Sequence, residues 1–105
     1  MAEKTVKPKV VNVIKYFAER LQESGVKVSK IVAFGSQLKG KADRNSDIDL
    51  IIVSESFRRK NLFKRAEMIG KAYEETVTEF MIPMDIIMES PEEYNPDFGV
   101  VVYAA

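Results

Sequence analysis

From Pro8 to Ser24, apolar residues at Val10, Val13, Ile14, Phe17, Ala18 and Leu21 recur at helical spacing, and Gly25 follows where helices commonly stop. Val26, Val28, Ile31, Val32, Ala33 and Phe34 read as a first strand, broken by Gly35-Ser36. A polar stretch from Gln37 to Ser46, with Gly40 inside it, separates this from a second strand over Ile48 to Val53. Good helix formers fill Phe57 to Tyr73, and Leu62, Phe63, Ala66, Ile69 and Tyr73 would share its core-facing side. A short third strand follows over Pro83 to Met88. Ser90-Pro91-Glu92-Glu93 then has the form of a helix start, with Ser as cap and Pro in the first turn. Asn95-Pro96-Asp97 turns the chain, and Gly99 to Tyr103 reads as a last strand.

This order of elements predicts an α/β (α+β) fold, a small mixed sheet with helices packed on one face. The 105 residues, 46% of them hydrophobic, suit a single domain spanning 1–105 with one core. No run approaches membrane-spanning length and no secretory leader is visible, so a cytoplasmic protein without membrane attachment is expected.

Composition narrows the chemistry. Cysteine and histidine are both absent, which excludes disulfides, thiolate sites, Ser-His pairs and the common zinc ligands. Reactions must then run on carboxylates, Lys, Tyr, hydroxyls or bound cations. Net charge is zero but unevenly spread, with 15 Lys/Arg against 7 Asp/Glu in residues 1–65 and Lys71 against 9 acids beyond. A basic half can attract phosphates or nucleic acid, and two solvated surfaces explain it equally well.

Asp47 and Asp49 stand two apart at the start of the second strand. Alternation sends both carboxylates to one face, with Cα atoms roughly 6.5–7 Å apart. Like charges on so apolar a strand need a cation or donors, and magnesium takes carboxylate and phosphate oxygens. An ordinary solvated strand end facing Lys41 or Arg44 is the plain alternative. Gly35-Ser36, directly after a strand, lets the backbone approach a ligand and offers free amides and a hydroxyl to a phosphate, or simply turns the chain. Asp85 lies between Met84 and Ile86 in the third strand, where an unpaired charge is costly. If that strand lies beside the second, Asp85 reaches the same cluster; otherwise it partners a Lys or Arg.

The segment Phe34-Gly35-Ser36 through Ser46-Asp47-Ile48-Asp49-Leu50, with ten residues between Ser36 and Asp47, closely resembles the signature of the polymerase beta-type nucleotidyltransferases. The resemblance runs from about Val10 to Met88 and includes the later lone acid, Asp85. In length the chain is similar to the minimal nucleotidyltransferases, some encoded beside HEPN-domain partners in toxin–antitoxin pairs. The resemblance implies a polymerase beta palm-like fold. It also implies that Gly35 and Ser36 bind the triphosphate of ATP or another NTP. Asp47 and Asp49 would hold two magnesium ions, and Asp85 would complete the acceptor-side metal and help deprotonate the attacking hydroxyl. Ser46 would orient the first Asp beside the nucleotide.

Larger relatives carry a further helical domain for the acceptor and base. Either a partner subunit, such as a HEPN-domain protein, or self-association supplies the missing wall of the site, or the domain no longer catalyses. Arg58, Arg59, Lys60, Lys64 and Arg65 form a basic cluster that either meets an acceptor or partner or is a solvated helix face. Two rival functions remain at this point. One is an antitoxin-like subunit that neutralises a HEPN-type partner by contact; the other is a nucleic-acid-binding module using the basic half.

Overall fold

A computed structural model describes residues 6–35 and 47–105. Helix α1, Pro8–Glu23, opens with its proline in the first turn, where a missing N–H costs nothing. Strands β1, Val28–Phe34, and β2, Ile48–Ser54, run antiparallel. Helix α2, Leu62–Phe80, then returns the chain to β3, Met84–Glu89, which lies parallel to β2. Strand β4, Val100–Ala104, pairs antiparallel with β1, so the sheet order is β3-β2-β1-β4. The mixed sheet with helices on one face is as the sequence predicts.

Two elements depart from expectation. Helix α2 starts at Leu62 rather than Phe57 and runs on to Phe80 rather than Tyr73. Ser54 caps a separate 3-10 turn over Glu55–Phe57 by accepting from the Ser56 N–H, and Arg59 adopts a left-handed φ of 61°. Asn61 then caps α2 proper, accepting from the Lys64 N–H at 2.8 Å. The helix therefore presents a different face: Ile69, Ala72 and Thr76 are buried, whereas Phe63, expected in the core, is 86% exposed. Phe57 is fully buried, but from the 3-10 turn. Ser90 to Glu93 makes only one turn. The Glu93 carboxylate accepts from the Ser90 N–H at 2.8 Å as in a capping box, but Asn95-Pro96 follows and the backbone cannot continue helically.

The main core lies between the helices and one sheet face. Val13, Ile14, Phe17 and Leu21 of α1 pack against Ile31 and Ala33 of β1 and Ile48, Leu50 and Ile52 of β2. The opposite face is covered differently. Val32, Ile51 and Val53 are buried there with Tyr94, so the β3–β4 connection crosses that face. Gly99 brings it down onto β1. Its φ is +74°, and a Cβ there would meet Val32 Cγ1 at 2.5 Å and the Ala33 carbonyl at 2.7 Å. Coverage on both faces explains why β2 reads as an almost unbroken apolar run.

Ion pairs fix the start of this crossover. Arg58 Nε donates to both Glu92 carboxylate oxygens at 2.9 and 2.7 Å. Arg65 Nη1 donates to the Met88 carbonyl at 2.9 Å and to Glu93 at 2.7 Å. These two arginines of the basic cluster are thus engaged within the chain. Lys64 pairs with Glu67 along α2. Among the described residues no helix is long and apolar enough to cross a membrane.

Candidate active site

The parallel pairing of β2 with β3 puts Asp49 directly opposite Asp85. Their neighbours Ile48, Leu50, Met84 and Ile86 face the helices, so both aspartates leave the sheet on the other side. Asp47 lies one step before β2 and is exposed. Burial, then the charge and hydrogen bonding of Asp85, then the charge of Asp47 push the Asp49 carboxyl above its ordinary value. All of these influences oppose ionisation of Asp49. The condition set by the sequence, that Asp85 reach Asp49 from a neighbouring strand, is met.

Gly35 is the residue after Phe34, which pairs with Asp49 across β1 and β2. Its φ is +75°, and a Cβ there would stand 2.3 Å from Asp49 Oδ2. The glycine is required because its backbone lies against the carboxylate, a contact beyond the phosphate role expected from sequence. Ser36, Ser46, Lys39, Lys41 and Arg44 lie outside the described residues, as do all of residues 36–46.

The donor set consists of carboxylate oxygens, which suits a hard divalent cation and not a thiolate- or imidazole-seeking one. Among the described residues, no three such side chains are gathered into a ready-made metal cage. What the geometry offers is the Asp49–Asp85 pair with Asp47 beside it. Its mutual repulsion is of the kind a divalent cation relieves, so the residues fit such an ion.

Sequence reading did not find the pocket next to this cluster. Ile51 and Ile87, one strand repeat beyond Asp49 and Asp85, line a cavity of about 170 Å³ closed by Tyr94 and Phe98 of the crossover. The only signal in the sequence was the aromatic character of Tyr94 and Phe98, which could not place them over this face.

A sequence model of the family described as "Nucleotidyltransferase domain" matches residues 13–101. Among solved structures, a candidate nucleotidyltransferase from Sulfolobus solfataricus is similar at 21% identity and TM-score 0.63, over 90% of this chain and 88% of that one. A toxin–antitoxin structure with AMP-PNP is similar at 19% identity and TM-score 0.59, over 90% and 73%. BolA1 from Arabidopsis thaliana is similar at 23% identity and TM-score 0.58, over 80% and 98%. At these identities the likeness shows the fold alone. No curated protein matches the chain significantly. The family model spans nearly all of the chain, from within α1 to within β4, and takes in both strands that carry the aspartates: this chain belongs to the nucleotidyltransferase domain family.

Proposed function

We propose that the chain is a magnesium-dependent nucleotidyltransferase that moves a nucleoside monophosphate from ATP, or another NTP, to an acceptor hydroxyl. The observation that carries this reading is the register of Asp49 against Asp85, with Gly35 packed on the Asp49 carboxylate. Asp47, Asp49 and Asp85 would hold the magnesium ions, two by family resemblance. Such ions supply charge stabilisation for the attacking and leaving oxygens of an in-line displacement.

The chain's own residues then have distinct tasks. Gly35, with Ser36 after it, presents backbone to the triphosphate, and Ser46 precedes and orients Asp47. The acceptor oxygen forms a bond to the α-phosphorus while the bond from that phosphorus to the bridging oxygen breaks, releasing pyrophosphate. The acceptor proton passes to a carboxylate, for which Asp85, on the edge strand and exposed, is the accessible member of the pair. No histidine is needed for any of these tasks.

A second reading has its own observation. Leu62 and Phe63, at the start of α2, are 68% and 86% exposed, which is apolar surface of the kind partners cover. An antitoxin-like subunit that binds a HEPN-type partner, or a self-associating chain, would use such a surface. The toxin–antitoxin neighbour carrying a nucleotide analogue is compatible with either role.

Incubation with α-labelled ATP and magnesium, in extract of the source organism, separates the two. Label appearing on an acceptor with wild type and lost with the Asp47→Asn, Asp49→Asn double variant supports transfer. A double variant that still transfers label would sink it. Partner binding retained by an inert wild type would favour the second reading.

A further inference from the structure

We infer that the pocket between the outer sheet face and the β3–β4 crossover is the subsite for an amino-bearing nucleobase of the substrate nucleotide, an inference resting on the transferase reading above. Its floor is Ile51 and Ile87, which follow Asp49 and Asp85 on the same face of paired strands. One strand repeat, about 6.5–7 Å, separates floor from carboxylates, a span that a ribose can bridge. The wall is aromatic. Tyr94 is buried, its hydroxyl donates to the Phe98 carbonyl at 2.7 Å, and Phe98 leans on Phe34 at 5.4 Å between ring centroids.

An aliphatic floor facing an aromatic wall is the geometry that holds a flat ring. Ile87 and Phe98 remain 43% and 46% exposed, so apolar surface is left uncovered at this point. The polar groups decide which ring. Glu93 lines the pocket but is already taken up by Arg65 and the Ser90 N–H. Glu89, partly buried at the end of β3, has no ion-pair partner among the described residues. Asn95 also lines the pocket, its Oδ1 accepting from the Asp97 N–H. The Glu89 carboxylate accepts hydrogen bonds and donates none, so it is the group that favours an exocyclic amine, as on adenine or cytosine, over the carbonyl edge of uracil. The tethered crossover, held by Arg58 and Arg65, keeps the wall in place.

The test uses the full chain and two kinds of probe. Adenosine, uridine and N-acetyltyrosinamide are titrated separately while backbone amide shifts are followed. Adenosine should move Ile51, Ile87, Glu89 and Phe98 more than uridine does, and Glu89→Gln should erase that preference. Ile87→Trp, which fills the floor from an exposed position, should weaken adenosine binding about tenfold. With magnesium, it should leave binding of tripolyphosphate, which has no base, unchanged. Adenosine shifts lying elsewhere, or shifts at these residues with the tyrosine amide and not with adenosine, would overturn the assignment. Failure of tripolyphosphate to bind wild type would count against the transferase reading instead, because the adenosine shifts are read without phosphate or metal.

Discussion

Gly35 shows how one residue can be fixed by two demands at once. A left-handed φ of +75° costs a residue with a Cβ about 1–2 kcal/mol. Here the Cβ would also stand 2.3 Å from Asp49 Oδ2, so the carboxylate would have to move. Gly35→Ala is therefore expected to lower stability by about 2 kcal/mol or more and to remove transfer activity. Denaturant unfolding reads the first and the label assay the second; an unchanged unfolding midpoint would show that the contact is not held.

Asp49 presents the opposite case, a residue kept at a cost. Burial and the charges of Asp85 and Asp47 all oppose its ionisation. Asp49→Asn should accordingly stabilise the metal-free fold at neutral pH, raising the melting temperature by about 4–8 °C for each kcal/mol relieved. Magnesium should raise the wild-type melting temperature and leave that of the variant unchanged. A variant less stable than wild type would contradict the repulsion described here. The aspartate pattern was legible in sequence because two carboxylates on one strand face are a short-range feature. The Asp85 contact was legible only as a condition, since strand adjacency is a property of the sheet.

At the scale of elements, α2 marks the limit of sequence reading. Leu62 and Phe63 are apolar at a helix start, and periodicity alone placed them inward. The phase is set instead by Ser54, the left-handed Arg59 and the Asn61 cap, which are local backbone events. Asn61→Ala should cost about 1 kcal/mol through loss of the cap, whereas polar substitution of Phe63 should cost little. A destabilised Phe63→Ser would show the sequence phase to be the right one after all. The crossover was likewise misread, as a helix start, because Ser90 and Glu93 form the capping contact without a helix behind it.

The same crossover gives a pH dependence. The Arg65 guanidinium, then the Ser90 N–H, hold the Glu93 carboxyl down to about 2, against an ordinary value of 4.5. A depressed acid adds stability above its unfolded value and loses it as pH falls through the folded one. The contribution should therefore be complete above about 4.5 and gone near 2. Because the Glu93 side chain is 47% exposed, solvent screening limits the effect to about 1 kcal/mol. Unfolding measured across that range should show a larger loss in wild type than in Glu93→Gln.

The whole molecule places its unlike parts by topology. Inserting β2 between β1 and β3 brings the Gly35 turn, Asp49 and Asp85 to one end of the sheet, although they span about half the chain. The helices seal the back face and the crossover covers part of the front, and the pocket of Ile51 and Ile87 follows the carboxylates along the paired strands. Fold class was readable from element order. The crossover's path was not, because no local pattern encodes which face a loop will cross.

The site itself is tested most directly by metal binding. Titration with Mn2+, a paramagnetic substitute for magnesium, should broaden backbone amides at Gly35, Asp47 to Leu50 and Met84 to Ile86 before any others. Asp49→Asn should abolish that broadening, and excess magnesium should compete with it. Broadening centred on the exposed Glu74 and Glu79 of α2, or retained by the variant, would contradict a metal site at the Asp49–Asp85 end of the sheet.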